Sequence, residues 1–126
     1  MEFKDKQSIY LQIADYVCEQ LLLGKWPSGD RIPSVRELGM LLEVNPNTVM
    51  RTYEFLQGKE IIFNKRGIGF FASDEARERI LAYRKERFLE SELPELFRTL
   101  YLLNISMEEL QQRYDTFVSE TYPIKP

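Results

Sequence analysis

Apolar residues recur at helical spacing from the start of the chain. Ile9, Ile13, Val17 and Leu21 form a stripe that Tyr10, Ala14 and Cys18 widen, so residues 8–23 predict an amphipathic helix. Gly24 supplies a stop, and Pro27, Ser28 and Gly29 mark a turn. Pro33 biases Ile32 toward an extended conformation. Ser34, with Glu37 three residues on, is a capping box that opens a second helix. Its buried side is expected at Leu38, Leu41 and Leu42, and its end near Glu43. After a very short connection comes Asn45, an N-cap residue type. Pro46 then falls at the first helical position, where its missing N–H costs nothing. This third helix runs to about Gly58, with Val49, Tyr53 and Leu56 on its apolar face.

The pattern then changes period. Residues 61–64 and 68–72 are β-branched and aromatic, and Asn64-Lys65-Arg66-Gly67 lies between them. This predicts a hairpin whose tip uses glycine for a positive φ. Residues 74–91 are helical and highly charged, with Ile80, Leu81, Tyr83, Phe88 and Leu89 as the apolar positions. Pro94 should kink this segment or begin a new helix. Leu96, Phe97, Leu100, Tyr101 and Leu103 continue an apolar face. Ser106 and Glu109 form a second capping box, before a helix with Leu110, Tyr114, Phe117 and Val118 on one side. The pattern predicts a mainly α fold with a small β-hairpin. A winged helix-turn-helix occupies residues 1–72, a short helical dimerisation region 73–121 and a loose tail 122–126. Three C-terminal helices with so many aromatics bury them poorly alone, so a homodimer through these helices is expected.

Composition narrows the chemistry. The 126 residues are 44% hydrophobic and 13% aromatic, enough for the core of a compact domain. No apolar run approaches the roughly 20 residues that span a bilayer. The opening Met-Glu-Phe-Lys-Asp-Lys has no apolar signal core, so a cytoplasmic location without membrane contact is expected. The single Cys18 cannot form an intrachain disulfide and reads as a core residue. There are no histidines, which removes the commonest general base and metal ligand. With one cysteine, ordinary zinc sites and Ser-His or Cys-His catalysis are excluded. Glu108 and Glu109 are adjacent on a helix and face different directions, so they make no shared acid/base site. Neither an enzyme nor a cofactor is expected. The net charge of −3 argues against nucleic acid. Residues 1–72, however, carry nine Lys/Arg and nine Asp/Glu, whereas residues 73–126 carry eight and eleven. The excess acid lies in the C-terminal part.

In a helix-turn-helix the first residues of the second helix face base edges in the major groove. Here these are Asn47, Thr48 and Arg51, with Asn45 at the cap. Asn suits the adenine edge and Arg the guanine edge. Arg36 adds charge one turn into the preceding helix, and Lys65, Arg66 and Gly67 form the hairpin tip. Each has a plainer reading alone. Asn45-Pro46 is a cap, Arg36 could pair with Glu37 or Asp30, and Lys-Arg-Gly is a common tip. Their compact order carries the weight. A winged helix used for protein interaction without DNA is the competing reading, supported by the acidic pI of about 5.1. Salt separates the two, because phosphate contacts weaken steeply as salt rises.

The same residues resemble the GntR-type winged-helix transcription regulators. The resemblance rests on Tyr10-Leu-Gln-Ile-Ala-Asp15 and on Gly24 followed by Pro27-Ser-Gly-Asp-Arg-Ile-Pro-Ser-Val-Arg-Glu-Leu38. Val44-Asn-Pro-Asn-Thr-Val49 with Arg51, and Arg66-Gly-Ile-Gly-Phe-Phe71, complete it. It implies a dimer bound to double-stranded operator DNA, with contacts from Arg36, Asn45, Asn47, Thr48, Arg51 and Gly67. The short C-terminal part is similar to the YtrA-like branch, in which it mainly dimerises. Repression of a pseudo-palindromic operator is the expected activity. The resemblance leaves any small-molecule effector open. Two positions depart from the pattern: Met50, where relatives often carry a basic or small polar residue, and Glu60, where a glycine is common.

Overall fold

The computed structural model describes residues 7–123. The opening residues 1–6 and the end of the expected tail, 124–126, lie outside the described residues. In order along the chain stand α1 (Ile9–Leu22), α2 (Val35–Leu42), α3 (Pro46–Gly58), β1 (Ile62–Lys65), β2 (Gly69–Ala72), α4 (Ala76–Arg87), a π-helical turn (Phe88–Glu92), α5 (Leu93–Leu102) and α6 (Met107–Thr121). Two compact units divide between Arg84 and Lys85.

The first unit is built around Ile13, Val17, Leu38, Val49, Tyr53, Leu56, Ile61 and Ile62, all buried. They are period-3.6 positions of α1 and α3, joined by Leu38 of α2 and by Ile61 and Ile62 at the start of the hairpin. Cys18 is buried in this core. Leu41 departs from expectation: it is 61% exposed, and Leu38 and Gly39 are the buried residues of α2. Eight residues form barely two turns, and the core touches only one narrow side of them. The unit runs beyond the expected boundary at residue 72, because the first turns of α4 bury Ala76 and Ile80 in the same core.

The strands pair antiparallel with Ile62 opposite Ala72 and Lys65 opposite Gly69. The tip is therefore Arg66-Gly67-Ile68, one residue later than expected. Ile68 N–H donates to the Lys65 carbonyl at 2.9 Å, and Gly67 takes φ +80°. Arg31 bridges to Phe71, and Ile32 N–H donates to the Phe70 carbonyl at 2.9 Å. The extended stretch expected at Ile32 thus adds a short third edge to the wing.

Four helices end alike. In α1, α2, α3 and α5 a residue past the last turn adopts a left-handed conformation, at Gly24, Glu43, Glu60 and Asn104 respectively. The next N–H reaches back five residues, Lys25 to Gln20, Val44 to Gly39, Ile61 to Leu56 and Ile105 to Leu100, at 2.9–3.0 Å. This is the Schellman arrangement, which satisfies otherwise orphaned carbonyls. Only α1 uses glycine for it. As expected, α3 runs to Gly58, and its left-handed residue is Glu60 two positions on.

In the second unit, the π-helical turn precedes Pro94, which sits in the first turn of α5. The wide turn accommodates the missing proline N–H. Ser106 caps α6 by accepting from Glu109 N–H at 3.1 Å. Only half of the expected box is made, because the Glu109 carboxylate turns to Arg113 at 2.9 Å. Leu100 is the buried residue of α5, and none of α6 is buried.

Candidate nucleic-acid interface

The two short helices are set by their caps. Ser34 Oγ accepts from Glu37 N–H at 3.1 Å, and Glu37 Oε1 accepts from Ser34 N–H at 2.9 Å. The Ser34 backbone N–H, then its hydroxyl, hold the Glu37 carboxyl below the usual carboxylate range, and the Arg31 charge adds to them. The positive end of the α2 dipole is thus answered by the chain's own carboxylate. At α3 the arrangement differs. Asn45 Oδ1 accepts from Asn47 N–H at 2.8 Å, Pro46 follows, and the first turn carries no acid. The α3 N-terminus keeps its electropositive character, the condition that favours an anionic partner.

Between α2 and α3 the backbone passes very close. A Cβ placed on Gly39 would stand 3.0 Å from the Val44 carbonyl oxygen and 3.5 Å from Pro46. Glycine therefore sets the angle at which α3 leaves the turn. Tyr53 locks the same region from below: its hydroxyl donates to the Pro33 carbonyl at 2.6 Å, and its ring meets Phe70 edge-on at 4.9 Å.

Asn47, Thr48 and Arg51 come together. They line one shallow groove with Ser8, Ile9 and Tyr10 at the start of α1. The Arg51 guanidinium lies over the Tyr10 ring, 3.9 Å from its centroid. Asn45 is exposed beside them, its oxygen engaged in the cap and its amide N–H groups free to donate. Arg36 is exposed and makes no ion pair with any described residue. The plainer reading of Arg36 as the partner of Glu37 does not hold, since Arg31 takes that place at 4.0 Å.

Lys65, Arg66 and Gly67 form a second group on the wing. Lys65 is the last residue of β1, and its ammonium lies 4.6 Å from the Phe71 ring centroid. Phe71 stacks on Phe63 at 5.9 Å, so the lysine rests on an aromatic pair. Nothing lies within 4 Å of a Cβ placed on Gly67, and the backbone there is open to close approach. A Cβ on Gly69 would meet Arg31 Cδ at 2.6 Å, so the Arg31 stem lies across the wing at that residue. Sequence reasoning missed Arg31 and the Phe63–Phe71 pair. It placed Tyr10 in an apolar stripe and in the opening-helix motif, without a partner on α3. The partners of Tyr10 stand about forty residues away, and no local signal links them.

Residues 9–72 match the family described as "Bacterial regulatory proteins, gntR family". The chain belongs to the GntR family. It is 33% identical over 116 residues to the HTH-type transcriptional regulator YhcF of Bacillus subtilis, covering 92% of this chain and 94% of that protein. It is 34% identical over 104 residues to the HTH-type transcriptional repressor YtrA of the same organism, covering 82% of this chain and 79% of the relative. A crystal structure of a GntR-family transcriptional regulator from Bacteroides thetaiotaomicron shares 50% identity and superposes with a TM-score of 0.79. That match covers 90% of this chain and 99% of that one. This GntR-family chain is accordingly a transcription regulator with a DNA-binding domain, and its relatives are regulators and not enzymes. No helix of the described residues is long and apolar enough to cross a membrane.

Proposed function

We propose that this GntR-family regulator is a homodimeric repressor that binds a pseudo-palindromic operator through α3 and the wing. The observation that carries this reading is the convergence of Asn47, Thr48 and Arg51 on one exposed groove beside the uncompensated N-terminus of α3. Asn47 and Arg51 hydrogen-bond base edges, adenine and guanine being their natural partners. Thr48 lines the same groove between them. Arg36, the Asn45 amide and Lys65 hold phosphates, which fixes the register of the domain on the duplex. Arg66 and the open backbone at Gly67 meet the flanking groove.

Repression is supported by similarity to YtrA, itself a repressor. The homodimer is supported by the exposed apolar side chains of α5 and α6, and two-fold symmetry then spaces the half-sites about one helical turn apart, or a multiple.

The test is selection of bound sites from a random duplex pool. A two-fold consensus is expected. Arg51→Ala should lose about 1–3 kcal/mol on that consensus and relax preference at one position per half-site, whereas Arg66→Ala should weaken all duplexes evenly. A pool that yields no consensus, with affinity unchanged in Arg51→Ala, refutes the reading.

A further inference from the structure

Tyr10 lies on α1, outside the α2–α3 pair, yet three residues of α3 hold it. Arg51 covers its ring at 3.9 Å from the centroid. Thr52 Oγ1, fully buried, donates to the Tyr10 carbonyl at 2.7 Å. Phe55 meets the ring edge-on at 6.0 Å. Residues 51, 52 and 55 share the flank of α3 that faces α1, so backbone, ring edge and ring face are each engaged by a different side chain. Among the described residues no hydrogen bond or ion pair engages the Arg51 guanidinium.

We propose that Tyr10 is a positioning residue for base recognition, a flat bed that fixes the Arg51 guanidinium before DNA arrives. The inference rests on the proposed operator binding and adds to it a specificity determinant outside the recognition helix. An exposed arginine on a helix samples many rotamers, and ordering it on binding opposes association. Stacking removes much of that freedom in the free protein. It covers one face of the guanidinium and leaves the N–H edges open, and those edges make the paired bonds to a base. Asn47 lines the same groove, so the orientation set by Tyr10 also fixes the spacing of the two base-reading side chains.

A double-mutant cycle on the selected operator tests this. Tyr10→Leu is expected to weaken operator binding about two- to fivefold, the worth of an exposed cation–π contact, and to flatten base preference at the Arg51 position. Tyr10→Phe, which keeps the ring, should restore both. In an Arg51→Ala background, Tyr10→Leu should have no further effect, because the two residues act as one unit. An equal loss in both backgrounds, or no loss in either, overturns the proposal while leaving operator binding intact. A wild-type chain that selects no duplex overturns both readings. A measurement independent of any variant's folding completes the test. In the free wild-type protein, NMR relaxation of the Arg51 Nε–H should report less motion than that of the exposed Arg36 and Arg66. Equal mobility at the three sites overturns the proposal.

Discussion

Single residues hold this DNA-binding unit in places where side-chain type and backbone conformation conflict. Glu60 adopts φ +59°, a left-handed conformation that costs an L-residue about 1–2 kcal/mol. Its carbonyl accepts from Ser73 Oγ at 2.9 Å and Arg79 Nη1 at 2.6 Å, so the backbone there is pinned from α4 and from the connection before it. A glycine would keep these bonds and relieve the strain, at some cost in chain entropy. Glu60→Gly is therefore expected to raise stability by about 0.5–1 kcal/mol, read as a higher urea midpoint with unchanged slope. A lower midpoint would mean that the Glu60 side chain contributes contacts of its own. Tyr53 gives a pH-dependent case. Burial, reinforced by the Glu37 charge, pushes its phenol well above the usual range. The unfolded phenol ionises near pH 10, while the folded one stays protonated. Stability from this group is present below about pH 10 and falls as pH rises beyond it. Tyr53→Phe should lower stability at neutral pH by about 1–3 kcal/mol, since the half-buried Pro33 carbonyl loses its donor. Its stability should also fall less steeply above pH 10. Parallel alkaline limbs for the two proteins would refute this account.

Elements show which parts of the chain announce themselves. The caps at Ser34, Asn45 and Ser106 were legible because the chemistry is complete within three residues: an acceptor, a turn and a returning N–H. The wing was legible as a hairpin, but its tip falls one residue later than expected. Gly67 and Gly69 both take positive φ, and composition does not say which one closes the turn. The left-handed cap at Glu43 was not legible, because glutamate does not advertise that conformation, and at Glu60 the one hint was the glycine common there in the family it resembles. The Tyr10–Arg51 contact was hidden for another reason, since it exists only after α1 and α3 pack. Close packing also makes a prediction at this scale. Gly39 lets the turn between α2 and α3 pass within contact of Val44 and Pro46, both backbone-anchored and unable to withdraw. Gly39→Val should destabilise the protein by about 1–3 kcal/mol, as overpacking does. In the proposed complex it should also tilt α3, so operator affinity should drop even at temperatures where the variant is fully folded. A variant with lowered melting temperature but wild-type affinity would confine the role of Gly39 to stability.

At the scale of the whole molecule, the C-terminal helices leave most of their apolar surface in solvent. Tyr101 is 85% exposed, and Leu102, Leu103, Met107, Tyr114 and Phe117 are each more than half exposed. Isolated exposed hydrophobics need no explanation, but so many on two short helices exceed what a monomer usually tolerates. A second copy of the chain is the occupant that the proposed function requires, because a two-fold operator pairs with a two-fold protein. A stable pairing buries about 1,200–2,000 Å² in total, which a few such aromatics from each chain supply a large part of. Tyr101→Glu and Leu102→Glu test this directly. Both side chains already face solvent in the single chain, so the substitutions should change monomer stability by no more than about 0.5 kcal/mol. In a dimer they would bury a carboxylate without a partner, which association cannot offset. Light scattering at micromolar concentration should report a dimer for the wild type and a monomer for the double variant. Binding to the full operator should then fall to the affinity of a single half-site, while binding to an isolated half-site stays unchanged. A wild-type monomer, or a double variant that remains dimeric, would remove the C-terminal helices from the pairing and leave the operator's symmetry to be supplied by another surface.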